Sequence, residues 1–244
     1  MKRQKRYFGL LSMMLCMALM CSMTSCIRKQ QDKGKHVSKN LKVTDFHSIK
    51  ASGNAVVVCH AGPTAAVNVS GYEADLKQVK VSVEDGCLLV NQSSTWDSRK
   101  GTIFSGMSNS VTIEVTVPKL DGCQVEGNAE VQMMDQMTVP RFTLVAFGNA
   151  SCDMYDLQSD SLSVQLSGNS SAQLCSAAVA QYARVSLAGN SDAQIKLDHA
   201  GKVDVNAAGN ASVTLTGTLT GKVQSEIAGN ADINNQTTQV KPKK

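Results

Sequence analysis

The chain has 244 residues, of which 42% are hydrophobic and 4% aromatic, and its formal charge is +4. This length suits one or two domains with a sizeable core, and the hydrophobic fraction excludes general disorder. Residues 1–25 hold four basic residues and no acidic one, and residues 43–240 hold 11 basic and 19 acidic residues. An acidic body argues against a nucleic-acid partner, because attraction to phosphates dominates that affinity.

The first 25 residues have the pattern of an export signal. Four basic residues precede an apolar run over residues 7–23, and small residues follow; this is the order of a signal peptide. The sequence Met23-Thr24-Ser25-Cys26 resembles a bacterial lipobox, in which the cysteine becomes the lipidated first residue. A plain secretory signal and a short membrane anchor are the alternatives. We therefore predict export, a lipid anchor at Cys26, and attachment to the bacterial outer membrane on its outer or periplasmic face.

The segment after the cysteine is expected to be a flexible basic tether. Residues 26–42 carry a net charge of +5 and no apolar pattern, and residues 241–244 form a short basic tail. Such a segment acts as a spacer near anionic lipid headgroups.

Residues 43–121 are expected to form strands without a regular repeat. Strands are predicted at 46–51, 54–59, 65–70, 79–83, 87–91 and 111–117, from their alternating apolar residues. Glu84-Asp85-Gly86 predicts a tight hairpin turn between two of these strands. The polar residues 93–110 are expected to form a long loop.

A regular sequence repeat extends over the remainder of the chain. The triplet Gly-Asn-(Ala/Ser) recurs at intervals of 20 or 21 residues, with apolar residues alternating on both sides of it. Period-two alternation around a glycine corner indicates strand, bend and strand, with one buried face. Since one such unit buries too little surface alone, the units must stack into a solenoid. We predict an all-β, single-stranded parallel β-helix with regular coils over 122–235, inside a domain spanning 43–240. The elaborated first coil over 43–121 caps it. The corner glycines are Gly53, Gly127, Gly148, Gly168, Gly189, Gly209 and Gly229.

The asparagine after each glycine is expected to form a structural column. Stacked coils place equivalent residues about 4.8 Å apart, so the side-chain amides can bond to one another along the stack. Ligand binding by the column is the alternative interpretation. The residues are Asn54, Asn128, Asn149, Asn169, Asn190, Asn210 and Asn230.

These motifs resemble those of the family described as putative auto-transporter adhesin, head GIN domain. The resemblance rests on Phe46 and Ile49 before Gly53, the hairpin with Gly86, the strand ending at Pro118, and the Gly-Asn series. It covers about residues 43–235 and implies a right-handed β-helix and an adhesin role. It brings no catalytic residues and no cofactor.

The cysteines, histidines and aspartates give weaker evidence for function than the repeat gives for the fold. Cys59, Cys123 and Cys152 occupy inward columns, so they are expected to be buried thiols, with one disulfide as the alternative. No histidine stands at metal-ligand spacing, and we expect no metal site. Asp135 and Asp156 each lie eight residues after a corner glycine and could be neighbours on adjacent coils. That pair could serve catalysis, hold calcium weakly, or belong to a solvated face.

Trp96 is the single tryptophan and lies in the polar loop. Its indole could contact a sugar or a protein partner, or it could cover the end of the solenoid. Three functions follow from these observations: a lipid-anchored envelope adhesin that binds glycan or protein, a polysaccharide lyase or hydrolase, and a periplasmic structural partner. The adhesin is the expected one, with the ligand and the oligomeric state left open.

Overall fold

The protein is a β-solenoid of about six turns, seen in a computed structural model. The structure describes residues 34–93, 96–97, 102–103 and 111–241, and the side chains at 96–97 and 102–103 lie outside this description. The predictions for residues 1–25 and for Cys26 also fall outside the described residues. Within them, the expected parallel β-helix is confirmed, and the described part contains one short helical turn.

The regular coils are built from β10 to β18, and each strand pairs in parallel with its equivalent one coil further on. Three long strands bend around the solenoid and form one coil each, while later coils are divided into shorter strands. The strands are β10 (Gly122–Gly127), β11 (Glu130–Gly148), β12 (Ser151–Gly168), β13 (Ser171–Gly189), β14 (Asp192–Ala200), β15 (Lys202–Gly209), β16 (Ser212–Leu219), β17 (Val223–Gly229) and β18 (Asp232–Gln239).

The register follows the sequence repeat. Corner glycines pair with one another, as Gly148 does with Gly168, and inward columns align, as Leu144 does with Val164. Each inward column buries its apolar side chains against the coils above and below, so a core of small residues runs along the solenoid axis. Phe142, which is fully buried, is among the largest side chains within it.

Each corner requires glycine for two reasons. Gly168 has φ 82°, which side-chain-bearing residues rarely adopt, and a Cβ there would lie 2.8 Å from the backbone oxygen of Gly148. The backbones of stacked corners therefore lie in direct contact, with no space for a side chain between them. Buried serines replace alanine after two of the corners, and the hydroxyl of Ser191 donates to the carbonyl of Ala188 at 3.1 Å.

The N-terminal part covers one end of the solenoid with extra strands. Two strands, β2 (Ser48–Gly53) and β3 (Val56–Ala61), form the first corner. The hairpin β5 (Val79–Glu84) and β6 (Cys87–Gln92) extends the sheet beyond β2, and Asp85 and Gly86 in its turn both have positive φ. The other face is extended by β9 (Val111–Val117), then β4 (Ala66–Tyr72) and β1 (His36–Leu41). The short elements are α1 (Glu73–Leu76), β7 (Trp96–Asp97) and β8 (Thr102–Ile103).

The segment 26–42 was expected to be a flexible tether, but its part from His36 to Leu41 forms β1, antiparallel to β4. The backbone of β1 bonds the open edge of β4, and this pairing needs no apolar alternation. The folded body therefore begins before residue 43. No helix in the described residues is long and apolar enough to cross a membrane.

Candidate functional site

The asparagine after each corner glycine lies in a continuous exposed column. Each side-chain amide nitrogen donates to the amide oxygen of the asparagine one coil earlier. From Asn128 donating to Asn54, up to Asn210 donating to Asn190, the distances are 2.9–3.1 Å, and the last, from Asn230, is 3.4 Å. Since each interior amide both donates and accepts within the column, the geometry supports the structural interpretation of these residues. Asn54, in the first corner, belongs to the same column.

The structure does not bring Asp135 and Asp156 together as a ladder pair. A β-bulge between Met133 and Gln136 shifts the register, so Asp156 stands opposite Gln136 and accepts a hydrogen bond from its amide at 2.9 Å. Asp135 points to the preceding coil instead. Its carboxylate lies 3.1 Å from Nδ1 of His60 and accepts the backbone N–H of Ala61 at 3.1 Å. This arrangement joins two coils, and sequence spacing alone did not reveal the bulge.

The cysteines are free thiols in the described residues. Cys59, Cys123 and Cys152 are buried, as expected from their inward columns, whereas Cys175 is exposed. Burial, and then the nearby charge of Asp135, raise the pKa of Cys59 to about 12. A hydrogen bond with Cys152, followed by burial, raises the pKa of Cys123 well above its ordinary value. The thiols of Cys59 and Cys123 are therefore protonated and unreactive at neutral pH.

No group of three or more His, Cys, Asp or Glu side chains suited to a metal ion occurs in the described part of the chain. Trp96 lies in β7, which pairs with β8, and its side chain is outside the described residues. Its expected ligand contact therefore stays a prediction.

A polar cluster that the sequence spacing did not single out lies on the outer face of β13 and β15. The hydroxyl of Tyr182 donates to the carboxylate of Asp204 at 2.8 Å, and Nζ of Lys202 donates to the same oxygen at 3.1 Å. Lys202 also lies 5.8 Å from the centre of the Tyr182 ring. The hydrogen bond from Tyr182 lowers the pKa of Asp204, and the same bond raises the pKa of Tyr182. Asp204 is consequently ionised at neutral pH.

An open groove begins at this cluster and runs to the last coil, and we call it the end groove. It encloses about 560 Å³. The register explains its lining: Arg184, Asp204 and Gln224 are successive members of one outward column, and Asn206 and Glu226 belong to the next. Hydrogen-bond donors and acceptors thus alternate along a rigid face. The lining residues are Arg184, Asp204, Asn206, Gln224, Ser225 and Glu226.

The isolated position of Tyr182 in the chain explains why the sequence did not reveal the end groove. Tyr182 looks isolated in the chain and meets Lys202 and Asp204 only through stacking of consecutive coils. Aligning the outward columns on the corner glycines would have placed Arg184 beside Asp204, because both lie five residues before a corner.

The fold and this surface define a repetitive β-solenoid that presents a rigid polar face. The chain belongs to the family described as putative auto-transporter adhesin, head GIN domain, whose model matches residues 45–237. The family suggests a cell-surface or envelope protein with an adhesin-like role. Among curated proteins, no significant relative is found.

Solved structures share the fold at low sequence identity. A putative adhesin from Parabacteroides merdae has a TM-score of 0.57 and 14% identity, covering 83% of this chain and 96% of that one. A putative lipid binding protein from Parabacteroides distasonis has a TM-score of 0.54 and 15% identity, covering 83% and 97%. A putative adhesin from Bacteroides fragilis has a TM-score of 0.52 and 19% identity, covering 84% and 96%.

Proposed function

We propose that this chain is a non-enzymatic, lipid-anchored envelope adhesin that binds a glycan in the end groove. The family supports the adhesin-like role, and the signal pattern before Cys26 supports the anchor. The observation that carries the glycan assignment is the end groove, an open polar depression on a rigid sheet. A glycan rather than a protein is proposed because the groove is polar throughout, whereas protein interfaces centre on apolar anchors.

The groove offers the groups that recognise hydroxyl-rich ligands. The guanidinium of Arg184 and the amides of Asn206 and Gln224 can donate to sugar oxygens. The exposed carboxylate of Glu226 can accept from sugar hydroxyls, whereas the carboxylate of Asp204 is held by Tyr182 and Lys202. Since these groups stand on stacked strands, the spacing of their backbone positions is set before the ligand arrives, which reduces the ordering entropy lost on binding.

The same contacts support binding rather than catalysis. A general acid for glycoside cleavage needs a raised pKa, whereas the hydrogen bond from Tyr182 lowers the pKa of Asp204. Asp135, the residue that could suggest catalysis from sequence, is held by His60 and the backbone of Ala61. We therefore propose no catalytic role for either carboxylate.

The test is a glycan array followed by calorimetry with a soluble body that begins at Lys33. All buried core residues lie between Phe46 and Leu219, so this body retains the folded part. Arg184→Ala is expected to weaken binding at least about tenfold, the loss of roughly one charge-assisted hydrogen bond. Lys196→Ala, an equal charge loss on another exposed face, is the matched control.

Two further outcomes separate the alternatives. Binding that is lost in Trp96→Ala but kept in Arg184→Ala would move the site to the loop around residue 96. Saturable binding to proteins and to no glycan would overturn the glycan assignment. For the anchor, incorporation of a labelled fatty acid is expected in the full chain and should be absent in Cys26→Ser. Protease treatment of intact cells then distinguishes the outer from the periplasmic face.

A further inference from the structure

The last coil leaves a sheet edge without a partner in the described residues. β17 pairs with β15 on one side, and β18 pairs with β16. The N–H of Val203 donates to the carbonyl of Lys222 at 2.9 Å, so the backbone of Lys222 faces the preceding coil. Because these groups alternate sides along a strand, the backbone groups of Val223, Ser225 and Ile227 face outward along the solenoid axis.

The inward positions of this coil are also uncovered. Ile227 is 54% exposed, whereas Ala207, the equivalent residue one coil earlier, is 3% exposed. Ser225 is exposed where Val205 is buried. An apolar core and a row of unpaired backbone groups therefore meet at the same end, which is the arrangement that recruits another strand.

We propose that a second copy of this chain covers the open end, with β17 pairing antiparallel to β17 of the copy about a twofold axis. A twofold axis perpendicular to the sheet reverses the solenoid axis and keeps both inner faces on the same side. Stacking the open end on the other end of a copy is disfavoured because such a contact does not close: at that end β1 and β5 each pair with one strand in the described residues, so every added copy leaves a new free end.

Charge complementarity sets the register of this pairing. With Gln224 opposite Gln224 of the copy, Lys222 stands opposite Glu226 on both sides of the axis. The backbone groups of Val223 and Ser225 face the edge, so Val223 of each copy then exchanges hydrogen bonds with Ser225 of the other copy. Lys222 of one copy and Glu226 of the other form a non-hydrogen-bonded pair, the kind in which opposite side chains lie closest together. A register centred on Glu226 would instead oppose two carboxylates.

The dimer would also extend the end groove. Gln224 and Glu226 line the groove and lie at the proposed axis, so the grooves of two copies would meet there. The outward face would then run across both solenoids without interruption. This inference concerns assembly and stands whether or not the groove binds glycan.

Sedimentation of the body that begins at Lys33, without glycan, tests the dimer. A concentration-dependent dimer is expected, and Lys222→Glu or Glu226→Lys should weaken it at least about tenfold, because both charge pairs become repulsive. The double variant with both changes should restore the dimer. A monomer at all concentrations would overturn the proposal, as would a dimer indifferent to these changes or a double variant that is not rescued.

Disulfide trapping tests the register. In a Cys175→Ser background, Gln224→Cys should form a covalent dimer under mild oxidation, since residues opposite each other across the axis lie about 4.5 Å apart between Cα atoms. Gln194→Cys, exposed in the middle of the solenoid, is the matched control and should remain monomeric. Equal cross-linking of both variants, or of neither, would contradict the register. Thermal melting of each variant verifies that it is folded.

Discussion

The two ends of the solenoid carry the same motif but bury it to different extents. At the first corner, Cys59 is fully buried beneath β9. Its equivalent in the last coil is Asn235, six residues after the corner in both cases, and this residue is exposed. The corner geometry is nevertheless alike, with φ 78° at Gly53 and 81° at Gly229.

In a repeat protein, backbone hydrogen bonding between coils and burial of the inward side chains are two separate contributions to stability. The backbone of a coil forms wherever one neighbouring coil offers hydrogen bonds, as the last coil shows. Burial of the inward columns needs neighbours on both sides. The N-terminal end obtains its second neighbour from irregular strands of the same chain, and for the C-terminal end we infer a second copy.

The largest expected difference in stability between a middle coil and the last coil concerns the inward residue two positions before the corner glycine. Leu166 is 2% exposed and Ile227 54% exposed. Leu166→Ala should lower the free energy of unfolding by about 3 kcal/mol, through lost apolar burial and a cavity. Ile227→Ala should lower it by less than about 1 kcal/mol. Urea unfolding at low protein concentration measures both values, and equal losses would mean that the last coil is covered in the single chain.

The thiol of Cys59 tests whether the covered end excludes water. Burial raises its pKa from an ordinary 9.0 to about 12. Between these values the unfolded chain releases the proton while the folded chain keeps it, so stability should fall as the pH rises. The expected slope is at most about 1.4 kcal/mol per pH unit. Urea midpoints between pH 8 and 11 measure it.

Cys59→Ala should reduce this alkaline slope without removing it, because Cys123 also has a raised pKa. Cys175→Ala is the control and should leave the slope unchanged, since Cys175 is exposed. An unchanged slope in Cys59→Ala would indicate that water reaches the first coil.

Most of the fold could be predicted from the sequence because the repeat constrains it at every level. The spacing of corner glycines sets the coil length, and alternation sets the inward columns, as the pairing of Leu144 with Val164 shows. β1 could not be predicted, because His36–Leu41 pairs through backbone groups on the edge of β4 and its apolar residues, Val37 and Leu41, do not alternate with period two.

The candidate site was less accessible to sequence reasoning. Contacts between coils depend on local register, and the bulge after Met133 turned Asp135 toward His60 and away from Asp156. Tyr182 and Asp204 are 22 residues apart and meet through a direct hydrogen bond. The contact of Asp135 depends on a bulge, which changes the spacing by one residue, and the contact of Tyr182 depends on the alignment of β13 with β15.

The smallest expected effect on stability comes from substitutions in the asparagine column. Asn169 donates to Asn149 at 3.0 Å and accepts from Asn190 at 3.1 Å, whereas Asn230 makes one longer bond, 3.4 Å, to Asn210. Asn169→Ala should therefore lower the free energy of unfolding by about 1 kcal/mol, and Asn230→Ala by about half as much, since exposed hydrogen bonds contribute little each. Thermal and urea unfolding measure both. If the two variants lost equal stability, the amide bonds along the column would not be its source, and the preference for asparagine would lie in its own backbone conformation next to glycine.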